Sequence, residues 1–405
     1  MSRVPPTHEP PNAAPPGARE TDHTLPQTVA VDAFTPAPAH ALDQAHEPGE
    51  RLRPGDRVLG FTLVEQLGEG AFATVFLAEQ EALAGRRVVL KVTAERTVEP
   101  ERLGRLQHPN VVPIHSVHEL AGRELICMPF LGRHTLAGVI AADRSRRSGS
   151  PSTQPARGST RRQPVSKSPG HGSRGQADGP NTPAPADPAQ PPPADELPSP
   201  TTDVRWVLDL LGGLAAGLEH AHARGILHLD IKPANVLLAD SGEPMLLDFN
   251  LSHDTAGPPE GATGGTVPYM APEQLDGLLH PGAGRVDART DLYALGVLAY
   301  ELLTGEKPYP AGWMSRAELG RYVDLRRTPA PAVRAKNPAV PRAVAAVVAK
   351  LLAPAPGDRY RSAAELRTDL DRQRADRPLL HAPDRHPAER LAKWRRRNPW
   401  LGLKL

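Results

Sequence analysis

The chain has 405 residues, of which 48 are basic and 46 acidic, and a formal net charge of +2 at pH 7. This balance argues against a dedicated nucleic-acid-binding protein, which needs a strongly basic surface. The one cysteine, Cys127, excludes an intramolecular disulfide and favours a reducing compartment, so we expect a cytoplasmic protein. The N-terminus is polar and Pro-rich and no run of 18 apolar residues occurs, so we expect neither a secretory signal nor a membrane span.

Proline is distributed unevenly along the chain. Residues 1–50 contain ten of the 47 prolines and residues 151–200 contain thirteen. Segments of this composition bury too little apolar surface to fold alone. We therefore predict a disordered tail over 1–56 and a low-complexity insert over 141–202. A basic tail is expected over 374–405, whose arginines and tryptophans either lie against anionic lipid or fray.

A glycine-rich hairpin is predicted near the start of the folded part. Gly68 and Gly70 stand between two strand-like runs, Phe61–Gln66 and Val75–Ala78. Glycines in such a turn let backbone amides approach the phosphates of a nucleotide. The spacing of the two glycines therefore favours a phosphate-binding turn.

A lysine at a strand end and a short acidic helix follow the hairpin. Val88–Lys91 predicts a strand, and a helix is expected to begin near Glu99. Pro100 suits the first helical position and disfavours the helical conformation at the residue before it, which makes Glu99 a cap residue. Three carboxylates stand near this lysine in the sequence, those of Glu95, Glu99 and Glu101.

The run His228–Asn235 is the most informative stretch of the sequence. It contains Asp230, Lys232 and Asn235 at a spacing that suits phosphoryl transfer to a hydroxyl group. The Asp can accept the hydroxyl proton, the Lys can neutralise the moving phosphate, and the Asn can hold a magnesium ion. This run predicts a catalytic loop.

The catalytic loop resembles that of the eukaryotic-like (Hanks-type) serine/threonine protein kinases of bacteria. Other motifs typical of that family occur in the family's order. The hinge-like Met128–Leu131 precedes the loop, and the acidic turn Met245–Asn250, the Ala-Pro-Glu segment Gly265–Glu273, and the anchors Asp291 and Arg359 follow it. The resemblance covers about residues 57–373, apart from the insert.

The resemblance implies an α+β, bilobal protein-kinase fold. A small β-rich lobe over 57–127 and a larger helical lobe over 132–373 would bind ATP in the cleft between them. Asp230, Lys232 and Asn235 would be the catalytic residues, and Asn235 and Asp248 would hold Mg²⁺. The implied nucleotide-binding residues are Gly68, Gly70, Val75, Val89, Lys91, Glu99, Met128, Phe130 and Leu237.

The resemblance also implies the substrate class and three contacts. Lys91 would pair with a carboxylate, and the choice stays open among Glu99, Glu95 and Glu101. Thr266 and Lys232 favour protein substrates with Ser or Thr acceptors over Tyr. Asp291 would hold the backbone of the catalytic loop, and Arg359 would form a buried ion pair with Glu273.

Three residues depart from the family pattern. Ala73 stands in place of the third Gly of the hairpin, a change that the turn tolerates. Leu229 precedes the catalytic Asp at a position where many relatives have an Arg that receives an activation-loop phosphate, and an apolar side chain cannot make that contact. Asn250 replaces the usual Gly of the acidic turn. With the short helix, the departures at Leu229 and Asn250 keep a second reading open, a nucleotide-binding pseudokinase that acts as a scaffold. A small-molecule phosphotransferase is a third reading, and the Ala-Pro-Glu segment argues against it.

Overall fold

The computed structural model describes residues 51–70, 73–148, 198–249, 253–254, 266–280, 282–309, 316–384 and 386–401. Residues 1–50 of the predicted tail, residues 149–197 of the predicted insert, and Asn250 lie outside the described residues.

The N-terminal part of the fold is a curled antiparallel sheet. Among the described residues its six strands lie in the order β1-β2-β3-β4-β6-β5. They are β1 (Arg57–Val58), β2 (Phe61–Glu69), β3 (Ala73–Gln80), β4 (Arg86–Thr93), β5 (Ser116–Leu120) and β6 (Arg123–Pro129). The predicted strands on both sides of the glycine turn are confirmed. The Gly70 amide donates to the Ala73 carbonyl over 2.8 Å and closes the hairpin.

One face of this sheet forms a separate apolar core. Phe61 and Leu63 alternate with more exposed residues along β2, as expected for a strand with one buried face. They pack with Phe76 and Leu90 from the next two strands. Leu52 belongs to the same core. The folded part therefore begins before residue 57, where the sequence placed the end of the tail.

The C-terminal part is mainly helical. The helices are α1 (Glu99–Leu103), which precedes β5, and α2 (Leu136–Ser148), α3 (Val204–His222), α4 (Pro272–Leu279), α5 (Ala288–Thr304), α6 (Arg316–Arg326), α7 (Val333–Lys336), α8 (Arg342–Leu351), α9 (Ala363–Arg374) and α10 (Pro387–Arg397). Short strands lie between β6 and α4: β7 (His134–Thr135), which precedes α2, and β8 (Ile226–Leu227), β9 (Val236–Leu238), β10 (Pro244–Leu246) and β11 (His253–Asp254), which follow α3. No helix in the described ranges is long and apolar enough to cross a membrane.

Helices α3 and α5 form the centre of the helical part. Asp203 caps α3 by accepting the Trp206 amide over 2.9 Å. Every residue of α5 from Thr290 to Thr304 is buried, as expected of a helix at the centre of a core. Gly305 ends α5 in the left-handed conformation, with φ of 76°. The helix predicted over Val204–Ala223 is confirmed to within one residue.

The structure corrects the predicted limits of the insert. Helix α2 continues through residue 141 to Ser148, and residues 198–202 pack against it. The carboxylate of Asp143 is buried and accepts hydrogen bonds from the hydroxyls of Ser199 and Thr201. Arg146 donates to the Pro198 carbonyl over 3.2 Å. The two chain ends that flank residues 149–197 therefore lie side by side.

We expect residues 150–196 to be dispensable for folding. A linker of roughly six Gly/Ser residues can replace them, because the two ends that it joins already lie together. The replaced loop is about eight times longer than this linker, and the smaller loss of entropy on closing the short loop stabilises the fold by about 1.8 kcal/mol at most. The melting temperature should not fall, as measured by circular dichroism. Deleting 141–202, the limits that the sequence suggests, is the comparison, because it also removes the buried Asp143 contacts and should destabilise the protein. Equal melting temperatures for the two deletions would contradict the corrected limits.

The structure also corrects the predicted C-terminal tail. Residues after 373 continue into α10, and Lys393 of that helix is fully buried. Its ammonium donates to the Arg377 carbonyl over 3.2 Å and lies 3.4 Å from the Asp384 carboxylate. The segment is held against the helical part rather than frayed.

The two parts of the fold meet at a short backbone junction. The Leu246 amide donates to the Asn110 carbonyl, and the Val112 amide donates to the Leu246 carbonyl, over 2.9 and 3.0 Å. An apolar cluster fills the same region, with members from both parts. This junction brings β4 and β6 next to β9 and β10.

Candidate active site

The catalytic loop follows β8 and is held by one buried carboxylate. Asp291, in the first turn of α5, accepts the backbone amides of His228 and Leu229 over 2.9 and 2.8 Å. Nε2 of His222 lies 2.7 Å from the same carboxylate. Burial raises the pKa of Asp291, but the bonds from His222 and the His228 amide outweigh it and hold that pKa below its ordinary value. The predicted role of Asp291 is confirmed.

Leu229 has an unusual backbone conformation. Its φ is 63°, in the left-handed region that L-residues with branched side chains rarely adopt. Its amide is bound to Asp291, and its carbonyl accepts the side-chain amide of Gln274 over 2.8 Å. The surrounding contacts therefore fix this backbone on both sides. The Leu229 side chain is buried and offers no polar group to a phosphate.

The Asp230 carboxylate accepts four hydrogen bonds. Oδ1 accepts the amide and the hydroxyl of Thr266, each over 2.9 Å. Oδ2 accepts Lys232 Nζ over 2.6 Å and Asn235 Nδ2 over 3.0 Å. The structure thus brings the three predicted catalytic residues together around one carboxylate.

Lys91, Glu99 and Asp248 form a second charged cluster. The Lys91 ammonium lies 2.6 Å from Glu99 Oε2 and 3.1 Å from Asp248 Oδ1. Lys91 and Glu99 are buried, whereas about a third of the Asp248 side chain (35%) is exposed. The partner that the sequence left open is therefore Glu99, and Glu95 and Glu101 are exposed. Glu99 is the first residue of α1, and Val98 rather than Glu99 is its cap.

The charge state of Lys91 follows from these contacts. Burial lowers the pKa of Lys91, but the carboxylates of Glu99 and Asp248 outweigh it and leave that pKa above its ordinary value. The lysine is therefore a fixed cation at neutral pH. The Lys91 ammonium lies at the junction between the two parts of the fold, where it contacts Asp248 of the acidic turn.

Asn235 and Asp248 offer oxygen atoms that suit Mg²⁺. The Asn235 side-chain nitrogen is bound to Asp230, so a metal would take its amide oxygen. Asp248 has φ of 63°, and the amide of the preceding Leu247 donates to the Asn235 carbonyl over 2.9 Å. One carboxylate and one amide oxygen are too few to hold Mg²⁺ alone but fit an ion that arrives with phosphate ligands. No cluster of three or more His, Cys, Asp or Glu side chains that could hold a metal occurs in the described part of the chain.

An apolar cluster lies beside the charged groups. Met128 at the end of β6, Leu237 in β9 and Val89 in β4 pack together, and these were three of the residues predicted to contact a nucleotide. Val75 pairs with Lys91 across β3 and β4 and with Gly68 across the hairpin. Phe130, which is also predicted to contact the nucleotide, follows β6, and the Arg133 guanidinium lies 5.6 Å from the centre of its ring.

The chain is similar in sequence to known protein kinases. The family model described as "Protein kinase domain" matches residues 203–369. The DNA damage-responsive serine/threonine-protein kinase RqkA of Deinococcus radiodurans is 34% identical over 334 residues, which cover 78% of this chain and 40% of that protein. This chain belongs to the bacterial Hanks-type serine/threonine protein kinases.

Two further relatives of this chain are also described as serine/threonine-protein kinases. Serine/threonine-protein kinase Pkn1 of Myxococcus xanthus is 28% identical over 90% of this chain and 46% of its own length. Serine/threonine-protein kinase PknB of Mycolicibacterium smegmatis is 34% identical over 42% of this chain and 26% of its own length. The chain thus spans less than half the length of these curated relatives.

A buried ion pair holds the start of α4 in the helical part of the fold. Arg359 donates to both oxygens of Glu273 over 2.7 and 2.9 Å, and the Thr290 hydroxyl donates to the same carboxylate. The predicted pair is confirmed. A bidentate pair of this kind fixes the end of the Ala-Pro-Glu segment, although its net contribution to stability is small.

Arg326 holds the substrate-side loop of the kinase and was missed in the sequence. Its guanidinium donates to the carbonyls of Val267, Pro268 and Met270. It is fully buried beside three tyrosine rings, at 4.8 to 5.6 Å from their centres. No motif marks this arginine, which stands in an ordinary helical sequence at the end of α6.

Proposed function

We propose that this chain is an active protein kinase that transfers the γ-phosphate of ATP to Ser or Thr hydroxyls of protein substrates. The observation that carries the proposal is the Asp230 carboxylate, which is bound at once by Lys232, Asn235 and Thr266. A carboxylate next to a fixed ammonium and a substrate-side threonine suits proton transfer from a hydroxyl group.

Asp230 is proposed as the general base. A carboxylate has about four acceptor positions, and four donors surround this one. A substrate hydroxyl must therefore displace a donor before Asp230 can take its proton. The Thr266 hydroxyl is the donor that can turn away, because it rotates freely about one bond and also accepts Lys232 Nζ over 2.9 Å. Lys232 then remains in place to neutralise the charge that develops.

Lys91, Asp248 and Asn235 are proposed to position ATP and Mg²⁺. When bound, the metal neutralises phosphate oxygens and polarises the bond that breaks. Asp248 and Asn235 supply its protein ligands, and Lys91, kept cationic by Glu99, contacts the phosphates. Gly68 and Gly70 of the hairpin lie on the phosphate side, and Val75, Val89, Met128, Phe130 and Leu237 enclose the base.

The described residues give no support to a binding-only pseudokinase. The sequence suggested that reading partly because the helix before Glu99 is short, yet the ion pair between Lys91 and Glu99 is present.

The decisive test is transfer of labelled phosphate from ATP to a generic protein acceptor, with and without Mg²⁺. Nucleotide binding without Mg²⁺-dependent transfer would overturn the proposal.

Cytoplasmic localisation is part of the proposal. The single cysteine, Cys127, is reduced and buried, and burial raises the pKa of its thiol, which keeps it unreactive. A reducing compartment with ATP suits this chemistry.

The Thr266 hydroxyl gives a specific prediction. Thr266→Val removes two hydrogen bonds with charged groups, the one that the hydroxyl donates to Asp230 and the one that it accepts from Lys232, while the direct contact between Asp230 and Lys232 remains. A hydrogen bond to a charged group contributes about 1.5–3 kcal/mol, so kcat/KM for the protein substrate should fall roughly ten- to 150-fold. Thr266→Ser keeps the hydroxyl and should retain most of the activity. The measurement is steady-state kinetics with both substrates varied. Equal activity of the Val and Ser variants would exclude a role for the hydroxyl.

A further inference from the structure

Helix α10 packs on the protein through its charged side. Lys393 is fully buried between the Arg377 carbonyl and the Asp384 carboxylate. One helical turn earlier, Glu389 accepts the Ala343 amide over 3.2 Å. These two residues are four apart and lie on one face of the helix.

A third charged residue extends the same contact. Arg396, three residues after Lys393, donates to the Asp376 carboxylate over 2.6 and 2.9 Å. The hydrogen bond from Arg396 and the charges nearby hold the pKa of Asp376 below its ordinary value, so this pair is ionised at neutral pH. Polar contacts therefore attach the helix to the protein.

The apolar residues of α10 face the solvent. Leu391 is 49% exposed and Trp394, three residues on, is 43% exposed. Trp400, in the short turn after the helix, is 81% exposed. An amphipathic surface helix ordinarily buries such residues and exposes its charges. In α10 this arrangement is reversed, so the outward face presents an apolar stripe.

Exposed arginines accompany this stripe. Arg390, Arg395 and Arg397 are all exposed, and the one acidic residue of the helix, Glu389, is turned to the protein. A partner for this face must therefore be apolar where it meets the leucine and tryptophans and anionic where it meets the arginines.

We propose that the outward face of α10, with Trp400, docks onto the surface of an anionic phospholipid bilayer. Tryptophan is favoured at the level of lipid headgroups, where its ring is apolar and its N–H is polar. Arginines beside an apolar helix face bind anionic headgroups while the apolar side chains enter the acyl boundary. An acidic macromolecule would also satisfy the arginines, and the second test below distinguishes it from a bilayer.

The first test is co-sedimentation of the full chain with vesicles. Binding is expected to vesicles of phosphatidylcholine with about 30% phosphatidylglycerol, and to be far weaker with phosphatidylcholine alone, because each arginine near the surface contributes about 1 kcal/mol. Replacing Arg390, Arg395 and Arg397 together by Gln should lower the partition coefficient roughly 100-fold. The matched control replaces three exposed arginines elsewhere, Arg87, Arg205 and Arg321, and should bind like wild type.

The second test separates a bilayer from other anionic partners. Leu391→Ser/Trp394→Ser removes exposed apolar groups while it keeps every charge and every contact of Lys393. This variant should lose most binding to the anionic vesicles, and the tryptophan fluorescence of wild type should shift to the blue and be quenched by brominated lipid. Trp394→Phe and Trp400→Phe assign that signal to the two positions.

Three outcomes would overturn the proposal. The first is that wild type binds neutral vesicles as well as anionic ones. The second is that the control arginine variant loses as much binding as the α10 arginine variant. The third is that the Leu391→Ser/Trp394→Ser variant binds anionic vesicles as well as wild type does. The last outcome would show that the arginines bind an anionic surface by charge alone, without entry of the apolar side chains into a bilayer. Melting temperatures of all variants show whether each remains folded. None of these binding and fluorescence measurements depends on kinase activity, so they test the proposal separately from the proposed function.

Discussion

Asp230→Asn is expected to lower kcat for phosphoryl transfer by about 10²–10⁴ while it changes nucleotide affinity little. The amide keeps the shape of the carboxylate but cannot take the proton of a substrate hydroxyl. Nucleotide contacts are proposed to come from Lys91 and Asp248, which lie in a different charged cluster. The measurement combines labelled-phosphate transfer with the dissociation constant for ATP.

The contacts around Asp230 also predict a secondary effect. Both carboxylate oxygens accept hydrogen bonds, and an amide has one oxygen, so its NH₂ group must face donors from either Thr266 or Lys232. The melting temperature of the variant should therefore be measured beside its activity. Asp324→Asn, on the exposed surface of α6, is the control for the charge change. A folded Asp230→Asn protein with wild-type kcat would show that Asp230 is not the base.

How far the sequence predicts the site depends on the chain distance between its members. Asp230, Lys232 and Asn235 lie within six consecutive residues, so their spacing alone places them on one loop. Lys91 and Asp248 are 157 residues apart and were linked only through the family resemblance. Arg326 belongs to no motif, and its contacts are with backbone carbonyls, which leave no trace in the sequence.

Composition gave the wrong boundaries where folded segments are polar. Ser199 and Thr201 resemble linker residues, yet their hydroxyls bind the buried Asp143. In α10 the fully buried residue is a lysine, so a reading based on apolar periodicity cannot tell which face packs. In both places specific polar contacts, not apolar burial, attach the segment, and such contacts depend on partners distant in the chain.

Lys91→Met is expected to lower kcat by about 10²–10³, the usual effect of removing one group that stabilises charge in a transition state. Because Glu99 is the observed partner of Lys91, Glu99→Gln should impair transfer as well, by loosening the lysine. Glu101→Gln, two residues further along α1 and exposed, is the matched control and should be neutral. Wild-type kcat in Glu99→Gln would show that the pair is not required for transfer.

The stability of the Lys91 variants provides an independent test of the buried pair. Burial already raises the pKa of Glu99, and Lys91 is the main group that opposes it. Without Lys91, Glu99 of the folded protein should keep its proton at pH values well above the ordinary glutamate pKa of about 4.3. In the unfolded chain Glu99 loses its proton near that ordinary pKa. The folded state then binds more protons than the unfolded state, so the stability of Lys91→Met should fall as the pH rises from about 4 towards 7. Lys91→Met/Glu99→Gln has no such carboxyl and should lack this slope. If both variants respond to pH alike, Glu99 is not buried beside Lys91 in solution, and the role assigned to this pair in positioning ATP must be abandoned.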